Sequence, residues 1–202
     1  MGSRKKKIAL LMLLAVLQGV TQAATYVDVL DLPAQSSELA VRSPLLGIAH
    51  AGQRLVTVGQ RGHILYSDDG GQNWQQAEVP VSSDLTAVYF PTAAQGWAVG
   101  NDGVILHSSD AGATWRKQLD GRQIGELMLK HYAALANAEP DNEHWPLWVA
   151  EGQRLMEQGA DKPLLDVWFA NEKLGYAVGV FNLILRTEDG GQTWTPFQDR
   201  TD

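Results

Sequence analysis

SDDGGQNW (Ser67–Trp74), SSDAGATW (Ser108–Trp115) and TEDGGQTW (Thr187–Trp194) are three versions of one eight-residue pattern, Ser/Thr-x-Asp-x-Gly-x-Thr/Asn-Trp. Each part has a physical role. The carboxylates of Asp69, Asp110 and Asp189 suit the backbone N–H groups of a tight turn. Gly71, Gly112 and Gly191 suit a positive φ, where a Cβ would clash. Ser67, Ser108 and Thr187 open the turn, and Trp74, Trp115 and Trp194 close it with a large ring carrying one N–H donor. The pattern predicts a hairpin turn locked by its own side chains.

Longer units travel with it. LTAVYFPTAAQGWAVGNDGVILHSS before the second copy aligns without a gap, at an offset of 79, with LLDVWFANEKLGYAVGVFNLILRTE before the third. The first unit joins at an offset of 41 through Val58-Gly59, Gly62, Ile64-Leu65 and Ser67. A period of about 40 residues with several short apolar runs predicts blades of a β-propeller. In the second unit the strands are expected at Leu85–Phe90, Trp97–Gly100, Val104–Ser108 and from Trp115 onward, in the order a, b, c and d. The eight-residue pattern is then the c–d turn. The fold class is all-β: about three four-stranded blades within residues 24–202, with a helical insertion.

Three blades are fewer than the roughly four to eight of a closed ring, and the chain stops at Asp202, just after the third copy of the eight-residue pattern (each copy a box hereafter). The expectation is the front part of a longer propeller. The competing account is an open array closed by association, with two sheet edges to protect.

The extra 38 residues between the second and third copies place the insertion at about 120–162. Arg122–Ala138 reads as an amphipathic helix with Ile124, Leu127, Met128, His131 and Leu135 on one face. Pro146–Gln158 reads as a second, with Pro in its first turn and Gly159 beyond its end. Strand order puts the boxes on one face of the disc. The insertion and the three b–c turns share the other, and that face is the candidate partner surface: Arg61, Asn101, Asp102, Trp145, Trp148 and Phe181. Phe181 is expected to pack against the tryptophans of the insertion, whose outer surface receives a partner. Upstream, Thr25–Leu30 reads as a short strand.

Residues 1–23 have a basic start (Arg4, Lys5, Lys6, Lys7), an apolar stretch Ile8–Leu17 and an end at Thr21-Gln22-Ala23, which predicts a secretory signal peptide. Ten apolar residues are too few for the ~20 that span a bilayer, so no stable span is expected after cleavage. Removing the four basic residues leaves 12 Lys plus Arg against 23 Asp plus Glu, a net charge of −11. Such acidity argues against a nucleic-acid partner. The absence of cysteine excludes disulfides and thiolate chemistry. The expected location is the periplasm, with a thylakoid lumen or the extracellular space as alternatives.

The five histidines lack metal-site spacing, and no Ser-His-Asp order or Gly-x-Ser-x-Gly elbow occurs. No catalytic residue, metal or cofactor is therefore expected. The turn pattern is identified as the Asp-box, or BNR repeat. Together with Gly96-Trp97-Ala98-Val99-Gly100 and Gly103-x-Ile105-Leu106, it resembles the photosystem II stability/assembly factor-like family. That resemblance implies an exported, non-enzymatic propeller that binds protein partners such as membrane-protein complexes. The alternative is a sialidase-like glycoside hydrolase or a glycan-binding propeller. Its Arg-Ile-Pro opening is echoed only by Arg42-Ser43-Pro44, and the other arginines do not sit at matching box-relative positions.

Overall fold

A computed structural model describes residues 26–197; the expected signal segment 1–23 lies outside them. Twelve strands form three antiparallel four-stranded sheets, each in simple sequence order. The first blade is β1 (Leu45–Ala51), β2 (Arg54–Gly59), β3 (Ile64–Ser67) and β4 (Gln75–Gln76). The second is β5 (Leu85–Tyr89), β6 (Gly96–Gly100), β7 (Ile105–Ser108) and β8 (Arg116–Leu119). After helices α1 (Gly121–Ala138) and α2 (Trp145–Gln158) comes the third: β9 (Leu164–Phe169), β10 (Gly175–Gly179), β11 (Ile184–Thr187) and β12 (Thr195–Pro196). The a strands stand side by side, β5 between β1 and β9.

The repeated Val-Gly at the end of each b strand has a steric cause. A Cβ on Gly59 would lie 2.2 Å from the Pro44 carbonyl oxygen, and one on Gly100 2.1 Å from that of Asp84. The start of strand a therefore approaches closely only where strand b ends without a side chain.

Apolar side chains alternate across the pleat and bury both faces wherever a neighbouring blade exists. Val56 and Val58 of the first blade meet Val88, Ala98 and Trp115 of the second. Trp97 and Val99 meet Val167, Ala177 and Trp194 of the third, with the Trp97 ring stacked on Phe169 at 3.7 Å between centroids. The outer faces lack that cover: Leu46 and Ile48 on β1, and Trp168 and Val178 on β9 and β10, are exposed.

The helical pair starts from a capping box. The Asp120 carboxylate accepts the Arg122 N–H at 3.1 Å, and the Gln123 side-chain oxygen accepts the Asp120 N–H at 3.1 Å. α1 buries Ile124, Gly125, Met128 and Tyr132. The buried stripe therefore runs through Tyr132, rotated from the expected one through Leu127 and His131. The rotation follows from glycine. A Cβ on Gly125 would sit 2.4 Å from the Met156 nitrogen, and one on Gly152 2.7 Å from the Leu129 nitrogen, so the helices cross at these bare positions. The Tyr132 ring then stacks between Trp145 and Trp148, at 6.1 and 5.4 Å.

The strand expected at Thr25–Leu30 is not formed. Thr25 lies outside the described residues, and Val29–Asp31 is a turn. The Asp28 carboxylate takes the Leu30 N–H at 2.9 Å and the Asp28 carbonyl takes the Asp31 N–H at 2.9 Å, which diverts the backbone from a ladder. Leu30 is instead buried in the core between the first two blades. The segment is latched to the insertion: Arg122 holds Asp31 with two bonds of 2.7 and 2.9 Å, and also holds the buried Asp120 at 2.7 Å.

Candidate functional site

The boxes use their polar groups on themselves. Asp69 Oδ1 accepts the Ser67 hydroxyl at 2.8 Å and the Asn73 N–H at 2.9 Å, and Oδ2 accepts the Asn73 amide at 2.7 Å. Asp110 does the same with Ser108 and Thr114, and Asp189 with Thr187 and Thr193. Ser67, Ser108 and Thr187 hydroxyls in turn accept the N–H of Gly71, Gly112 and Gly191. The backbone N–H of Asn73, its side chain and the Ser67 hydroxyl hold the Asp69 carboxyl down to about 2. Burial would raise Asp110, but the Thr114 and Ser108 donors outweigh it and keep it below the usual carboxylate range. Trp74 and Trp115 donate their indole N–H to the carbonyls of Gly71 and Gly112, each at 3.0 Å. Trp194 is as buried as Trp115, yet its indole nitrogen has no partner among the described residues. The second and third boxes dock on the preceding blade: a Cβ on Gly112 would meet Val56 at 3.0 Å, and one on Gly191 would meet Gln118 at 2.0 Å. The three carboxylates do not converge on a common ligand.

The opposite face carries the b–c turns. In each, the first turn residue accepts a bond from the residue three on: His63 N–H to Gln60 O at 3.0 Å, Val104 to Asn101 at 3.3 Å, Leu183 to Val180 at 3.1 Å. Both central residues have positive φ: Arg61 57° and Gly62 71°, Asp102 58° and Gly103 65°, Phe181 54° and Asn182 60°. These are hairpin turns whose hand matches the strand twist. The insertion shares this face, as strand order predicts, since a Cβ on Gly103 would lie 2.8 Å from both Gly121 and Ile124.

The structure separates the candidate partner residues. Trp145 is buried between the helices, its indole N–H donated to Glu139 at 2.9 Å. Asp102 accepts the Ser83 hydroxyl at 2.7 Å, while Asn101 is exposed beside it. Arg61 lies on the first blade, its backbone N–H held by Asp84 at 2.8 Å. Trp148 and Phe181 are brought together around a small hollow with Lys162, Glu151 and Val180. Phe181 does not pack on the tryptophans as expected; it is 75% exposed, because the positive-φ turn carries it outward while the indoles stack on Tyr132. The Lys162 ammonium stands over the Phe181 ring at 5.5 Å. A bulky aromatic in the left-handed region is strained, and here burial does not compensate it.

Among the described residues no helix is long and apolar enough to cross a membrane, and no group of three His, Cys, Asp or Glu side chains gathers as a metal site. The family model for photosynthesis system II assembly factor YCF48 matches residues 28–139, more than half the chain. The chain belongs to this family. No curated protein matches it. Among solved structures it is similar to YCF48 bound to D1 peptide, with a TM-score of 0.52 and 17% identity over 76% of this chain. It is also similar to YCF48 from Cyanidioschyzon merolae (0.49, 15%, 77% of this chain and 40% of that one) and to an ancestral GH74 enzyme (0.50, 14%, 79% and 21%). The chain spans 40% of the first structure's length. Within the YCF48 family match lie the first two blades and α1; the third blade and Phe181 fall beyond it.

Proposed function

We propose that this chain is an exported, non-enzymatic assembly factor that docks a protein, such as a subunit of a membrane complex, on the face shared by the b–c turns and the insertion. Phe181 carries the reading. A ring held at positive φ and exposed costs more than its exposed contact with Lys162 returns, which is the signature of a contact made elsewhere. Rigid aromatics beside a partly exposed Trp and a cation are the usual anchors of protein interfaces. Family membership supports a protein partner, and one solved member holds a D1 peptide. Export rests on the basic and apolar segment 1–23.

Binding without turnover is favoured by the state of the arginines. Arg54, Arg122, Arg154 and Arg186 are each engaged by a carboxylate of the chain, which removes these four from any clamp for an acidic sugar. The test is site-directed. A photo-reactive residue at Phe181 should cross-link one defined membrane-complex subunit in the source cells, and Phe181→Asn should abolish co-purification of that subunit. An intact complex with the Asn variant, or cross-links no different from those at an exposed box residue such as Gln72, would overturn the assignment.

A further inference from the structure

A second site stands apart from that face's aromatic end and does not depend on it. Between the segment Leu32–Pro44 and the Gln60–His63 turn lies a cleft of about 820 Å³. The chain carries 23 Asp and Glu against 16 Lys and Arg, yet among the described residues no carboxylate lines this cleft, whereas Arg42 and Arg61 both do. Neither guanidinium is in an ion pair among the described residues, unlike the four arginines engaged elsewhere. Their backbones are fixed: Arg42 ends a short helical turn, Ala40–Arg42, and Arg61 sits at φ 57° with its N–H on Asp84. The cleft is thus lined by one arginine from the segment before β1 and one from the turn after β2.

The lining includes His63, 5% exposed, whose Nδ1 has no hydrogen-bond partner among the described residues. Burial, aided by Arg61, pushes its pKa down, so the ring stays neutral and offers an acceptor. Leu32 and Leu39 supply an apolar wall. Unpaired cations in an acidic chain attract an anion, guanidinium groups match carboxylates in shape, and the leucines favour a carbon chain over a bare inorganic ion.

We propose that this cleft binds a small dicarboxylic acid, one carboxylate on Arg42, the other on Arg61, with the intervening carbons against Leu32 and Leu39.

The experiment is a titration of the full chain with succinate, and in parallel with inorganic phosphate at matched ionic strength. Calorimetry and the NMR signals of the His63 ring serve as readouts. Saturable one-site binding of succinate is expected, with phosphate weaker by about tenfold or more. Arg42→Gln and Arg61→Asn should each weaken succinate by about tenfold; Asn suits the positive φ, so the turn is retained, and circular dichroism checks the fold. Phe181→Asn should leave succinate binding unchanged, which separates this site from the aromatic end of the docking face. Absence of saturation into the millimolar range, equal affinity for phosphate, or unchanged binding in folded Arg variants would each overturn the proposal.

Discussion

Replacing Trp115 and Trp74 by Ala, one at a time, uses the repeat as its own control. Both indoles occupy the last position of an Asp-box and donate the same 3.0 Å bond to a glycine carbonyl. They differ in what lies beyond the turn. Trp115 is 4% exposed, edge-on to Phe90 at 5.9 Å, in the core between the first and second blades. Trp74 is partly exposed, beside a hollow of about 310 Å³ lined by Leu46 and Ile48 on the uncovered face of the first blade. Truncating a fully buried Trp costs about 3–5 kcal/mol, part of it for a cavity that cannot collapse. At Trp74 the space is already open, so the cavity contribution vanishes and less apolar area is lost. A cost of about 1–2 kcal/mol is expected there. Urea unfolding followed by tryptophan fluorescence and circular dichroism, extrapolated linearly, measures both. Equal losses would refute the reasoning, since they would mean that the indole acts through its own turn and not through the blade it abuts.

Trp115→Phe removes a buried hydrogen bond and should cost about 1 kcal/mol more than Trp194→Phe, because among the described residues the Trp194 indole nitrogen has no partner to lose; chemical denaturation of the two variants checks the order. Phe181→Asn should raise the melting temperature, since relieving a left-handed aromatic is worth about 1–2 kcal/mol and exceeds an exposed cation–π contact of about 0.5–1 kcal/mol; a lowered melting temperature would mean the ring contributes to packing. Acid should destabilise the fold with a definite sign. Asp69 and Asp31 are held at about 2, below the ordinary 3.8, so their contribution is fully present above the higher value and lost as pH falls toward 2. Thermal melts from neutral pH downward should steepen in that window, and Asp69→Asn should remove part of the slope; an unaltered slope counts against the box carboxylate as a source.

What was legible in the sequence follows from the range of the interactions involved. In each box the Asp, the Ser or Thr and the residue before the Trp bond within four positions of one another, so the pattern contains its own explanation. The strands were legible because apolar alternation recurs at one period. The helices showed as a break in that period. Arg122 and Asp31 lie 91 positions apart, and no local pattern joins them. The Thr25–Leu30 strand was misread because one carboxylate, Asp28, captures a backbone donor that alternation alone assigns to a ladder.

Phe181 marks the same boundary from the other side. An apolar residue beside tryptophans reads as packing, yet its alignment with Arg61 and Asp102 already held the contrary signal. Those two lead into Gly62 and Gly103, and a two-residue turn with glycine second calls for left-handed backbone at both positions. In the third blade Asn182 replaces the glycine, as the residue best able to keep the turn, and Phe181 is carried outward with it. The repeat thus explains the turn but not the ring. Where three copies agree, shared stereochemistry is sufficient cause. Where one copy keeps the strained backbone and carries phenylalanine in place of the arginine or aspartate of the others, an exposed cation–π contact does not offset the cost, and the proposed docking partner would supply the physical reason.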